Sequence, residues 1–212
     1  MLFYKVNFLV KEEVILMPFG EKDFFSAFVS VSKAISSTRN LKDVLDLIVK
    51  HGIDSLDMKA GAISLWNKKE NRLELITQRN LSQEFINKGP ILADKSIPDS
   101  VLSKRPVVVP NIETDRQLQY PEACKKEGIK SILAVPVVFK DNVIGALRLY
   151  DSKSREFTYK EIEFITALAE QGGIAVENAR YMEKILKGHK EEMEDLWDWF
   201  YSMTGSPRLD GC

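Results

Sequence analysis

Residues 131–151 constrain the fold more than any other stretch of the chain. Ser131 to Lys140 and Val143 to Asp151 are two largely apolar, β-branched runs separated only by Asp141-Asn142, the pattern of a tight β-hairpin. Side chains alternate along a strand. The second run therefore puts Val143, Gly145, Leu147 and Leu149 on one face and Ile144, Ala146, Arg148 and Tyr150 on the other. One of these faces carries an arginine.

The chain before the hairpin alternates between helical and extended patterns. Residues 1–21 form an N-terminal extension, with Tyr4, Val6, Phe8 and Val10 in strand alternation and Pro18 and Gly20 as punctuation. Phe24, Phe28, Val31 and Ile35 fall on one helix face. Asn40 caps a second helix that turns Leu41, Val44, Leu45, Ile48, Val49 and Ile53 inward. Ala60 to Trp66 and Arg72 to Gln78 read as strands around a polar turn. Short helices are predicted at Leu81 to Lys88, Pro98 to Lys104 and Pro121 to Glu127, the last stopped by Gly128, with a short strand at Pro106 to Val109.

A long helix closes the chain. Thr158 and Glu161 have the spacing of a capping box. Ile165, Leu168, Gly172, Ala175, Ala179, Met182, Leu186, His189, Met193, Leu196 and Phe200 then recur at alternating steps of three and four, the seam of a coiled coil. The first half of this row has a sheet to cover. Met182, Leu186, His189, Met193, Leu196 and Phe200 extend past it, and leaving them in water would expose a long apolar stripe. They are the predicted interface of a parallel homodimer. The expected divisions are an extension over 1–21, a domain over 22–182, a coiled-coil-like helical extension over 183–203 and a disordered tail over 204–212.

Composition excludes several functions. Lys+Arg 30 against Asp+Glu 31 gives a net charge of −1, without the basic excess of a nucleic-acid binder. The longest apolar run, Ile132 to Phe139, is far short of the ~20 residues of a membrane span. No signal peptide is read, and Cys124 and Cys212 make no disulfide framework, so a cytoplasmic protein is expected. With two distant histidines, His51 and His189, no metal site is expected, and no phosphate loop, dinucleotide fingerprint or serine elbow is present. The balance moves towards a binding module and away from an enzyme, and no cofactor is named by any motif.

Two helices, two strands, a variable region, a hairpin and a closing helix is an order that resembles the GAF domain family. The strings Gly128-Ile129-Lys130-Ser131-Ile132-Leu133-Ala134-Val135-Pro136-Val137, Val143-Ile144-Gly145-Ala146-Leu147-Arg148-Leu149 and Phe157-Thr158 with Ala175-Val176-Glu177-Asn178-Ala179 look like its late strands and closing helix. The resemblance covers roughly residues 22–182. It implies an α+β, profilin-like fold: a mixed, mostly antiparallel sheet of five to six strands, terminal helices on one face, and short helices and loops roofing a pocket on the other.

On that fold, Arg148 would place a fork-shaped donor in the pocket, suited to a carboxylate or phosphate; the bland alternative is an arginine paired with Glu74 or Asp115 on a solvated rim. Trp66, Ser64, Phe85, Ser96, Asn111, Tyr120, Cys124, Ala134 and Ala146 are the other predicted lining residues. The family's cyclic-nucleotide pattern is matched poorly by Asp151, Ser152, Lys153, Phe157, Glu161 and Ile162, which leaves Lys153 and Glu161 as a strand-to-helix tie. His51 reads as an exposed helix-end residue helped by the dipole.

Three functions compete. The first is a non-enzymatic sensor that binds a small, anionic molecule, signals through a helix-mediated homodimer and hands on to a separate output protein. The second is a free methionine sulfoxide reductase-like redox enzyme using Cys124, which stands where such enzymes carry one cysteine but lacks partner cysteines in the region above the pocket. The third is a purely structural dimerisation domain with a collapsed pocket.

Overall fold

The computed structural model describes residues 21–37, 40–92, 104–116 and 118–204. Its side chains are described from residue 24, and in the last helix through residue 187 and at 195, 196 and 203. The predicted N-terminal strand or hairpin, most of the predicted helix at 98–104, Ser96 and the tail beyond residue 204 lie outside the described residues. So do the side chains of His189, Met193 and Phe200.

The elements run α1 (Glu21–Ser37), α2 (Leu41–Leu56), β1 (Ala60–Asn67), β2 (Arg72–Arg79), α3 (Gln83–Ile86), β3 (Ile91–Leu92), β4 (Val107–Val109), α4 (Pro121–Lys126), β5 (Ser131–Phe139), β6 (Asn142–Asp151) and α5 (Tyr159–Thr204). The class is α+β. The six strands form one sheet in the order β3-β2-β1-β6-β5-β4, with every described pairing antiparallel.

Local chemistry sets the boundaries. The Asn40 side chain accepts from the Lys42 amide to open α2, and Asp57 closes it in the left-handed conformation. Gly128 at φ +71° ends the turn after α4. The Glu161 carboxylate accepts from the Thr158 amide at 2.8 Å while the Thr158 hydroxyl accepts from the Glu161 amide, the reciprocal box that starts α5. In the hairpin, Phe139 pairs with Asn142, so the connecting residues are Lys140 and Asp141, with Lys140 at φ +52°. The turn thus sits one residue earlier than the composition predicts.

α1, α2 and α5 cover one sheet face. Leu45, Ile48, Val49, Ile63, Leu133, Leu147, Leu149, Ile165 and Leu168 are fully buried between the layers, each stabilising the fold by about 1.5–3 kcal/mol relative to exposure. Phe24 stacks on Phe164 with ring centroids 4.2 Å apart, fastening α1 to α5. The Thr77 hydroxyl donates to Asp46, fastening β2 to α2.

Two β-bulges adjust the alternation. Val137 pairs with Gly145 but Val138 pairs with Val143, so Ile144 is an extra residue in β6. The phase reverses there: Ile144 joins the helix-side core, and Val143 packs with Leu73 and Ala146 on the other side. The simple alternation places these two residues the other way round; it holds from Gly145 onward. A second bulge at Ile76 separates the pairs Ile63–Thr77 and Ser64–Leu75.

Arg155, not Lys153, makes the strand-to-helix tie. Its guanidinium donates to the Leu56 carbonyl at 3.0 Å, lies 3.6 Å from Asp151 Oδ2, and pairs with Glu161. His51 is half-buried, and burial, helped by Lys50, holds its pKa below the usual value. This is the reverse of the dipole-assisted rise expected from its place near a helix end. No helix among the described residues is long and apolar enough to cross a membrane.

Candidate functional site

The sheet face away from the long helices is paved with small side chains. Ala62 and Ala134 flank Arg148 on the neighbouring strands, and Ser64 pairs with Ala146 one step along. The opposite face carries leucine, isoleucine and valine at the matching positions. Small residues lower the floor on either side of Arg148.

The roof over this floor is built from α3, α4 and the segments joining them to the strands. The Ser82 hydroxyl caps α3 by accepting from the Phe85 amide, and the Ser82 amide donates to Glu127 Oε1 at 3.0 Å. Lys126 and Glu84 form a 3.2 Å ion pair between the same two elements. Phe85, Val109, Ile112, Cys124 and Ile129 close a second apolar core against Ile132 and Tyr150. The Tyr120 hydroxyl donates to the Pro90 carbonyl at 2.9 Å.

Among the described residues, three spaces lie beneath and beside the roof. A cleft of about 430 Å³ opens over β1 and β2 and is lined by Ala62, Ser64, Leu73, Phe85, Lys88 and Tyr150 among others. A groove of about 720 Å³ runs between α3 and α4, past Phe85, Lys88 and Tyr120. Between them is a chamber of about 30 Å³, bounded by Phe85, Lys88, Tyr120, Cys124, Arg148 and Tyr150. That is the size of one water's share of liquid.

Arg148 is 4% exposed. It does not stand on a solvated rim: burial removes water from its guanidinium and lowers its pKa. Burial also pushes the Tyr150 hydroxyl up to about 12 and the Cys124 thiol up to about 11, against the opposing pull of Lys88 and Arg148 on the thiol. Lys88 is driven down to about 8, chiefly by desolvation.

The predicted site residues divide into groups. Arg148, Tyr120, Cys124 and Phe85 meet around the chamber, and Ser64 and Phe85 line the cleft. Ala134 and Ala146 are fully buried floor residues. Trp66 packs with Leu73 and Val143 at the far end of the sheet, with Lys68 Nζ 5.4 Å from its ring. Asn111 is engaged in the turn after β4, its Oδ1 accepting from the Glu113 amide. Lys88, which no sequence pattern marks, also borders the chamber. As a lysine in the turn just past α3 it has no periodic signal; only the roof brings it to Arg148.

A family model described as GAF domain matches residues 38–177. The chain belongs to the GAF domain family. The formate hydrogenlyase transcriptional activator FhlA of Escherichia coli (strain K12) is 20% identical over 171 residues, covering 78% of this chain, which spans about a quarter (25%) of that protein. Among solved structures, the GAF domain of a phosphoenolpyruvate-protein phosphotransferase from Coxiella burnetii is similar, with a TM-score of 0.68, 15% identity and coverage of 77% of this chain and 98% of that one. The free methionine-R-sulfoxide reductase of Neisseria meningitidis, solved with its substrate, gives a TM-score of 0.65 at 12% identity, covering 78% of this chain and 96% of that one. At these identities the structural likeness establishes the fold alone, and a sensory or ligand-binding role is what membership of the GAF family supports in general.

Proposed function

We propose that this GAF domain is a non-enzymatic sensory module, that it binds a small anionic molecule beneath the α3–α4 roof, and that it signals through a helix-mediated homodimer. The observation that carries the reading is Arg148, a buried cation on a strand whose neighbours on the same face are alanines. A guanidinium in a desolvated recess holds a carboxylate or phosphate by paired, charge-assisted hydrogen bonds. Ser64 and Phe85 supply the mixed polar and apolar walls typical of small-molecule sites. Native mass spectrometry of freshly purified protein tests the reading. A small mass excess that Arg148→Met loses supports it; an unliganded mass that no added carboxylate or phosphate shifts counts against it.

The dimer reading rests on α5. Ile165 and Leu168 are buried against the sheet, while Met182, Leu186 and Leu196 on the same helix are 46, 65 and 54% exposed. Over 46 residues the helix is about 69 Å long. An apolar groove of about 600 Å³ at Ile35, Leu41, Val44, Met182 and Leu186 continues the stripe onto α1 and α2. The divisions at 1–21, 22–182, 183–203 and 204–212 belong to the same reading, with α5 spanning the second boundary as one continuous helix. A cytoplasmic setting and a separate output partner complete it.

The redox alternative has the likeness to the Neisseria enzyme in its favour. Against it, Cys124 is 5% exposed and its thiol is pushed up to about 11, whereas a reactive cysteine needs a stabilised thiolate. If Cys124→Ser abolished a methionine sulfoxide reductase activity of this chain, the redox reading would replace the sensory one. For the purely structural alternative, the discriminating observation is a pocket that takes up no small molecule.

A further inference from the structure

We infer that Lys88 is the second charge-reading residue of the pocket, and that the site selects a ligand with two anionic groups, a small dicarboxylate held at one end by Arg148 and at the other by Lys88. The inference rests on the anion-binding reading and narrows it.

Position is the first argument. Phe85 and Lys88 are the two residues that border the cleft, the groove and the chamber alike. Arg148 borders the chamber alone, so a ligand in the cleft or the groove that extends towards it does so beside Phe85 and Lys88. The lysine stem is a flexible four-carbon chain, so its ammonium can follow a ligand across a range of lengths.

Incomplete partnering is the second. The Lys88 ammonium has three donors. It donates to the Phe85 carbonyl at 3.0 Å and lies 3.8 Å from the centre of the Phe85 ring. Among the described residues no carboxylate lies within ion-pair distance of it. Charges withdrawn from water are ordinarily paired; a carbonyl and a ring face compensate only partly. A ligand carboxylate arriving beside Lys88 supplies the missing counter-charge, and a ligand with one anionic group, bound at Arg148, leaves that charge uncompensated.

The charged and titratable groups around Lys88 are Cys124, Arg148, Tyr120 and Tyr150 at the chamber, Arg72 and Glu74 along the cleft, and Glu84, Glu122, Lys126 and Glu127 along the groove. Of these, Arg148 opposes the ammonium while Glu127 favours it, and burial dominates both. With the free protein's Lys88 titrating near pH 8, a bound dicarboxylate that holds its proton makes binding take up protons above that pH and none well below it.

Calorimetric titration of the full chain with glutarate and with valerate, which share a five-carbon chain, decides the matter. The expected result is at least tenfold tighter binding of glutarate, the scale of one charge-assisted contact. That preference disappears in Lys88→Met, and glutarate binding takes up protons at pH 8.5 but not at pH 6.5. Equal affinity for the two acids, or a preference that survives Lys88→Met, overturns the dicarboxylate inference and leaves the anion reading standing. Failure of both acids to bind the wild type overturns this inference, while the anion reading is decided separately by the native mass measurement. Should Lys88→Met not fold, Lys88→Gln takes its place, and a glutarate preference that survives in it overturns the inference.

Discussion

A β-carbon built on Gly173 would stand 2.1 Å from the carbonyl oxygen of Val138. The closing helix thus touches β5 backbone to backbone at the bulge, and only a residue without a side chain fits. In Gly173→Ala the helix must lift from the sheet. The loss is about 1–3 kcal/mol, outweighing the ~1 kcal/mol that alanine gains in helix propensity. The neighbouring Ile174→Ala, at an exposed position, changes stability by about 0.5 kcal/mol or less. Urea unfolding of the two variants measures the contrast.

Arg155 joins the end of β6, the end of α2 and the start of α5 through Asp151, Leu56 and Glu161. Arg155→Ala leaves the buried Asp151 carboxylate poorly compensated and is expected to cost about 1–3 kcal/mol. Lys153→Ala, which removes the residue the sequence pattern favours for this tie, is expected to change the unfolding midpoint little.

The shifted groups give stability a signed pH dependence. Lys88 is lower in the folded chain, about 8, than its ordinary 10.5. The folded state then binds fewer protons between those values, so Lys88 contributes stability at high pH that is lost as pH falls through 8. Relative to Lys88→Met, the ligand-free wild type should gain about 1 kcal/mol between pH 7 and pH 10, discounted for its partial exposure. Cys124 runs the other way: its folded value is raised from 9.0 to about 11, so its contribution is present below pH 9 and lost as pH rises through 11. At pH 8 the peptide containing Cys124 should resist iodoacetamide in the folded chain and react on unfolding.

Leu186→Glu with Met182→Glu puts two charges into the exposed stripe of α5 without touching the sheet core. Sedimentation at micromolar concentration should find the wild type dimeric and the double variant monomeric, with unchanged thermal stability of the domain beyond the loss of the dimer contact. A monomeric wild type contradicts the dimer.

The fold was readable because its signals are periodic. The helix faces of α1 and α2, the Thr158–Glu161 box and the β5–β6 hairpin follow from spacing, and Arg148 follows from alternation along β6. Bulges are invisible to that arithmetic: one inserted residue moved Ile144 to the helix side and turned Val143 away. Trp66 has the composition of a pocket wall, but its place near the end of β1 sets it beyond the cleft. Lys88 is illegible for the opposite reason. Its importance comes from the non-local meeting of the turn after α3 with β6, and nothing within ten residues of it announces that meeting.

Thermal denaturation of the wild type and of Arg148→Met in rising concentrations of small carboxylates tests the anion pocket most directly. The shift is read for each protein against its own melting temperature without carboxylate, so a lower stability of Arg148→Met does not enter the comparison. The account predicts that at least one carboxylate raises the melting temperature of the wild type in proportion to log concentration and leaves Arg148→Met unmoved. An equal rise in both proteins would contradict it.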